Sequence, residues 1–267
     1  MPSPATPPAN RRQRVQSAET GMVVLKGLAR MGGRASLTAL AAHVGESPAK
    51  VHRYLASLIE EGLVAQDGGA QYHLGTEAIQ IGLAAMRQAD PIRVAEPSLV
   101  RLRESLEVTC FLAVMGNKGP TIVRFEEPAL PVTVNVRAGS VMSMLWSATG
   151  RVFLGLLDEA GVRRMAEAEL AEAPPELRAT LAARDPIGAL RRQVRQAGCA
   201  TVRDSYLRGI SAVAAPVHDA TGRVCAALCA LGASGGFDPS ADGAIGSAVR
   251  QEAQATSERL GFRKDGA

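Results

Sequence analysis

Aromatic residues are scarce in this 267-residue chain: one Trp, three Tyr and five Phe, 3% of the total. That scarcity excludes a surface that stacks successive single-stranded bases. Long apolar runs are missing too. The longest stretch without a charge, 224–237, is 14 residues, short of the roughly 20 a membrane helix needs. The four cysteines, Cys110, Cys199, Cys225 and Cys229, form no CxxC pair. They read as buried, reduced thiols rather than zinc ligands. The glycine-rich run Gly232-Ala233-Ser234-Gly235-Gly236 lacks the Lys-Ser/Thr of a phosphate loop. Ser205, His218 and Asp219 are hydrolase residue types, but the last two adjoin in an expected turn. No catalytic, cofactor or metal site is therefore expected. The Pro-rich start has no apolar signal region, so the expected location is cytoplasmic, with no membrane partner.

What is present is a chain able to fold: 46% hydrophobic and 21% charged residues can bury a core over two modules. The net charge of +4 is uneven. Residues 1–75 carry eight Lys/Arg against five Asp/Glu, and 76–267 carry 22 against 21. An anionic partner is sought at the N-terminal quarter. Residues 1–14 read as a disordered basic arm ending in Arg11, Arg12 and Arg14. Apolar spacing then predicts a helix from a Ser17 cap to about Met31, weakened by Gly21 and Gly27, and a short helix over 37–44 capped by Ser36. Ser47 caps a third helix, with Pro48 at its first position. Val51, Leu55, Leu58 and Ile59 form its inner stripe, while Lys50, Arg53 and Ser57 share another face. Gly62 stops it, and 63–74 read as a β-hairpin around a Gly-rich turn.

This order of elements is that of a winged helix-turn-helix occupying 15–75. Its third helix fits a major groove about 12 Å wide. Ser47, Lys50, His52, Arg53 and Ser57 are the candidate DNA contacts; a solvated helix face is the other reading of the charges. The arm either reaches the DNA or is a tail without contacts. A linker helix is expected over 76–90. A mixed module follows over 91–262, with a strand at 132–136 among others and a closing helix over 240–260; 263–267 is a tail.

Val15-Gln16-Ser17-Ala18-Glu19, the stretch from Ser47 to Leu58 and Tyr72-His73-Leu74-Gly75 resemble the IclR family of bacterial transcription regulators. So do Ser147-Ala148-Thr149-Gly150-Arg151, and Gly209-Ile210-Ser211-Ala212-Val213-Ala214-Ala215-Pro216-Val217 with the strand after it. The resemblance spans about 15–260. It implies an α+β protein: an N-terminal winged helix-turn-helix, a linker helix and a C-terminal GAF/PAS-like effector-binding domain. It also implies a homodimer or homotetramer that binds a duplex DNA operator and a small organic-acid effector, without catalysis. The sequence departs from the family in its wing turn, which has no Lys or Arg, and in Val202, where some members are polar.

The effector pocket is expected between 144–151, the 204–210 loop and the last hairpin. Alternation puts Cys225, Ala227, Cys229 and Leu231 on one strand face, with Ala212 opposite. That floor suits an apolar or aromatic body. Ser147, Thr149, Asp204, Ser205, Tyr206 and the N–H groups opening the helix at 148 would take the acid end. Leu145, Trp146 and Ile210 complete the candidate lining; Trp146 reads equally as a core or interface aromatic. The alternatives to a metabolite-controlled regulator are an enzyme using the same pocket and a thiol-based redox sensor.

Overall fold

The computed structural model describes residues 15–128, 136–205 and 207–263. The expected arm with Arg11, Arg12 and Arg14, Tyr206, most of the 132–136 strand and most of the tail lie outside the described residues. The chain divides into two compact units, Met1–Gln88 and Ala89–Ala267.

The first unit runs α1 (Gln16–Arg30), β1 (Arg34–Ser36), α2 (Leu37–Val44), α3 (Pro48–Glu60), β2 (Val64–Gln66), β3 (Gln71–Leu74) and α4 (Thr76–Gln88). Helix α1 starts ahead of Ser17, with Val15 at the cap position. Gly27 sits mid-helix for a packing reason: a Cβ there would lie 2.5 Å from Val44 Cγ1, so its glycine cost is offset by the close approach of α2. The Ser36 and Ser47 side chains accept from Ala39 N–H and Lys50 N–H, and Gly45 turns α2 towards α3 with φ of 71°. Val24, Leu28, Leu40, Val51, Leu55 and Tyr72 form the core. The hairpin acquires a third strand, β1, in the antiparallel order β1-β3-β2. Three residues carry no readable alternation; only pairing of Arg34, Ala35 and Ser36 with His73, Tyr72 and Gln71 makes them a strand.

The second unit contains α5 (Pro91–Leu106), β4 (Thr109–Gly116), β5 (Gly119–Glu126), α6 (Ala148–Leu156), α7 (Ala160–Glu172), α8 (Pro175–Arg178), α9 (Pro186–Ala197), β6 (Ala200–Arg203), β7 (Ile210–His218), β8 (Val224–Ala233) and α10 (Ala244–Arg259). Its antiparallel sheet has the order β5-β4-β8-β7-β6. One face packs with α6, α7 and α9 around Phe111, Phe153 and Val194, and the other with α5 and α10 around Leu99, Leu228 and Val249. Burial on both faces explains why β8 is apolar almost throughout. Helix α5 continues through Pro97, with Asp90 capping it through Ile92 N–H. Helix α10 starts at Ala244 rather than 240, because Ser240 is held in a turn by the Asp238 carboxylate.

Alternation along β8 fails at one point. Val217 pairs with Ala226 and His218 with Val224, so Cys225 is an extra, bulged residue. Ala227, Cys229 and Leu231 face the α6 side, whereas Cys225 packs with the opposite core. The shared face expected for Cys225 is corrected accordingly.

Candidate functional site

On α3, the inner stripe Val51, Leu55 and Leu58 is buried, which turns Ser47, His52, Arg53 and Ser57 outward. Lys50 is half-buried: its Nζ stands 2.7 Å from Glu46 Oε1 in the turn before the helix. The Ser57 hydroxyl is engaged with Arg53 O at 3.5 Å. In the wing, Asp67 Oδ1 accepts from the N–H groups of Gly69 and Gln71, and its other oxygen pairs with Arg34 of β1. The Gln71 N–H, the Gly69 N–H and the Arg34 charge together hold the Asp67 carboxyl below its ordinary range, against a burial effect that pushes up. Arg34 and its pairing strand were not singled out from sequence.

In the second unit a cavity of about 40 Å³ lies between α6, β7 and β8. Trp146, Ser147, Thr149, Ile210, Ala212 and Cys229 line it, with Phe111, Met142 and Leu207 among the walls. Leu145, Asp204, Ser205 and Ala227 are not in the lining. Leu145 and Ala227 are wholly buried in the core. Asp204, at φ of 50°, spends its carboxylate on Gly209 N–H and the Ser234 hydroxyl, each at 2.8 Å. Ser205 donates to Arg203 O. Among the described residues no charged side chain lines the cavity. Trp146 is both core and wall: it is 2% exposed and its Nε1–H donates to Thr180 Oγ1.

The 143–147 loop that forms one side of the cavity is tied down from several directions. The Ser143 hydroxyl accepts from Leu145 and Trp146 N–H, and Glu169 Oε2 from Met144 and Leu145 N–H. Ser147 donates to Ser143 O and accepts from Gly150 N–H. Arg151 reaches back to Leu145 O at 2.8 Å and across to Thr201 O at 3.1 Å. Burial brings its guanidinium pKa down to about 10. With Arg151 N–H bonded to Ser147 O, the N–H groups of Met144, Leu145, Trp146, Gly150 and Arg151 are used and three are left over. Among the described residues, no acceptor stands opposite the N–H of Ser147 or of the first two α6 residues, Ala148 and Thr149, although the three are 5%, 2% and 1% exposed. Buried, unpaired donors at a helix start suit an anion. The Glu169 contacts and the Arg151 bond to Thr201 O span 24 to 50 residues, so no local signal announces them.

The thiols are not poised for reaction. Burial pushes Cys110 up to about 12, Cys225 up to about 11, Cys199 upward and Cys229 well above its ordinary value. Among the described residues no cluster of three or more His, Cys, Asp or Glu could hold a metal, and no helix is long and apolar enough to cross a membrane.

Residues 17–68 match the model of the IclR helix-turn-helix domain. Residues 83–258 match that of the bacterial transcriptional regulator IclR C-terminal domain. The HTH-type transcriptional regulator BhcR of Paracoccus denitrificans is 25% identical over 233 residues, covering 86% of this chain and 82% of that protein. The HTH-type transcriptional repressor AllR of Salmonella typhimurium is 23% identical over 272 residues, covering 98% and 95%. The crystal structure of Pseudomonas aeruginosa HmgR superposes with a TM-score of 0.85 at 39% identity, covering 95% of this chain and 100% of that one.

Proposed function

The chain belongs to the IclR family of bacterial transcriptional regulators, and on that premise we propose how its two units divide the work. It is a DNA-binding regulator of transcription with an N-terminal helix-turn-helix domain and a C-terminal effector domain. Helix α3 enters the major groove of duplex DNA, with Ser47, His52, Arg53 and Ser57 outward and Lys50 beside the Glu46 turn. Replacing Lys50 and Arg53 by Ala abolishes operator binding on this reading while leaving the fold intact. Unchanged affinity in a gel-shift assay refutes it.

The effector is an organic acid with one carboxylate and an apolar, commonly aromatic, body. The free N–H pair of Ala148 and Thr149 at the end of an otherwise apolar cavity carries this reading. The N–H pair and the helix dipole suit one negative charge, and among the described residues no cation lines the cavity to balance a second. A space of about 40 Å³ holds little more than one water. The effector therefore binds by pushing the walls apart, Met142 being the most adaptable of them. Such a ligand shifts DNA affinity by binding the competent and incompetent states unequally. A thermal-shift screen of benzoate-like monocarboxylates against equal-sized dicarboxylates tests it. Ala212→Phe removes the response to a hit; a dicarboxylate preference, or an undiminished response in that variant, rejects the assignment.

The active species is a homodimer formed through the first unit. Six exposed large apolar side chains lie on α1 and α4: Met22, Val23, Ile79, Ile81, Leu83 and Met86. Helix α4 has no buried residue, and such a helix in a soluble chain needs a covering surface. Leu83→Asp, followed by sedimentation, yields monomers if a second copy supplies it.

A further inference from the structure

We propose that Glu46 is a positioning residue that sets the DNA specificity of this regulator: it holds the Lys50 ammonium off the phosphate backbone and delivers it, as a pair, to a G·C base edge. The inference rests on the α3 docking proposed above.

The contact is short, Nζ to Oε1 at 2.7 Å, and both side chains are only about a third exposed, at 35% and 32%. The carboxylate comes from a well-defined turn. Gly45 takes φ of 71°, and Glu46 N–H donates to Ala41 O. Ser47 then caps α3 through Lys50 N–H. The same arrangement recurs in the wing, where Asp67 pairs with Arg34. The sequence makes the pattern general. Between residues 15 and 75 there are five Lys/Arg and five Asp/Glu, so the basic excess of 1–75 is entirely Arg11, Arg12 and Arg14. The winged module itself is electrically neutral, and two of its turns spend a carboxylate on a nearby cation.

For a protein that must find one site among many, this has a direct consequence. A free lysine binds any phosphate, which strengthens binding everywhere and steepens its salt dependence by about 0.9 for each contact. A lysine held by a carboxylate gains little from a phosphate, because the carboxylate left beside it is repelled by the same backbone. A G·C pair is different. In the major groove, guanine offers the O6 and N7 acceptors next to the cytosine N4 amino donor. The ammonium can serve guanine while Glu46 accepts from cytosine, so the pair is used intact. Neutral turns in the free protein thus become a discriminating contact on one kind of base pair.

The test uses the full chain and fluorescence anisotropy over a range of salt concentrations. One probe is a 30-base-pair random-sequence duplex. The other is the operator recovered from a random duplex pool with the wild-type protein. Glu46→Gln is expected to bind the random duplex several-fold more tightly, with a log affinity–log salt slope steeper by about 0.9. Its operator-to-random ratio should fall about tenfold, with melting unchanged. In a Lys50→Gln background the same substitution should change neither slope nor ratio. Glu60→Gln, an exposed acid elsewhere on α3, should leave slope and ratio at wild-type values. An unchanged slope and ratio in Glu46→Gln overturns the proposal. So does an equal change in the Lys50→Gln background or in Glu60→Gln, because that is bulk charge rather than positioning. If Lys50→Gln alone leaves operator affinity and ratio intact, Lys50 reads no base and the Glu46 proposal falls, whereas the α3 docking itself falls only if replacing Lys50 and Arg53 together also leaves affinity unchanged.

Discussion

Gly150→Ala is a one-carbon change whose effect can be worked from the packing. Gly150 is buried in the first turn of α6. A Cβ there would lie 2.0 Å from Ser143 O, 2.6 Å from Met144 Cα and 2.8 Å from Met144 C. All three are backbone atoms, so no flexible side chain can swing aside, and the 143–147 loop must retreat by more than an ångström. Overpacking of this kind costs about 1–3 kcal/mol. The retreat also strains the Ser147–Ser143 bond and the Glu169 contacts to Met144 and Leu145 N–H, at about 1 kcal/mol per bond lost. The total is about 2–5 kcal/mol, which for a unit of this size lowers the melting temperature by roughly 4–20 °C. Scanning calorimetry reads the shift in the second unit's transition. Gly82→Ala is the contrast: a Cβ there meets nothing within 4 Å on α4, so it should be neutral or stabilising by up to about 1 kcal/mol. Effector response should vanish in Gly150→Ala while operator binding survives at a temperature below its melt. A melting temperature within a degree of wild type, with effector response retained, would refute the close loop approach and the anion cradle built on it.

Deleting residues 1–14 removes Arg11, Arg12 and Arg14. If each neutralises a phosphate, the salt slope of DNA binding becomes shallower by up to about 0.9 per arginine; an unchanged slope identifies a tail without DNA contacts. His218 stacks on Phe262 with ring centroids 4.7 Å apart, and burial lowers its pKa, opposed by the Asp219 charge. The unfolded imidazole therefore protonates at a higher pH than the folded one. The His218 contribution to stability is intact above about pH 6.5 and is lost as pH falls through the folded value. His218→Gln should flatten the melting profile between pH 7 and 5, and an unaltered profile counts against this burial effect. With all four thiol pKa values raised, native protein should label slowly with a disulfide reagent at pH 8, and denatured protein rapidly at four sites. Fast native labelling would revive the redox-sensor reading.

Local signals by themselves determined the winged helix. The Ser36 and Ser47 caps, Pro48 at the start of α3 and the Gly45 turn act within a few residues, so they are legible without a partner. The apolar spacing of α3 likewise turned Arg53 and Ser57 outward, although Ile59, expected on the inner stripe, is 38% exposed. Even Gly27, read as a weakness, needed the structure to show Val44 packed against it. The candidate effector site was legible in its α6 half, where Ser147, Thr149 and the helix start are contiguous in sequence, and in the strand floor, where alternation placed Ala212, Cys229 and Leu231. Pairing at a distance decided the rest. Strand β1 exists because β3 lies beside it. Cys225 leaves the shared face because the β7–β8 register slips by one residue. Asp204 does not line the cavity because Ser234, thirty residues away in sequence, takes its oxygen. Lys50 could be read as a basic residue of α3, but its pairing with Glu46, four residues earlier, shows only in the folded turn. Periodicity and capping are properties of short segments. Register, cavity membership and the partner of a charge arise from close packing between segments, and the chain records them only once it is folded.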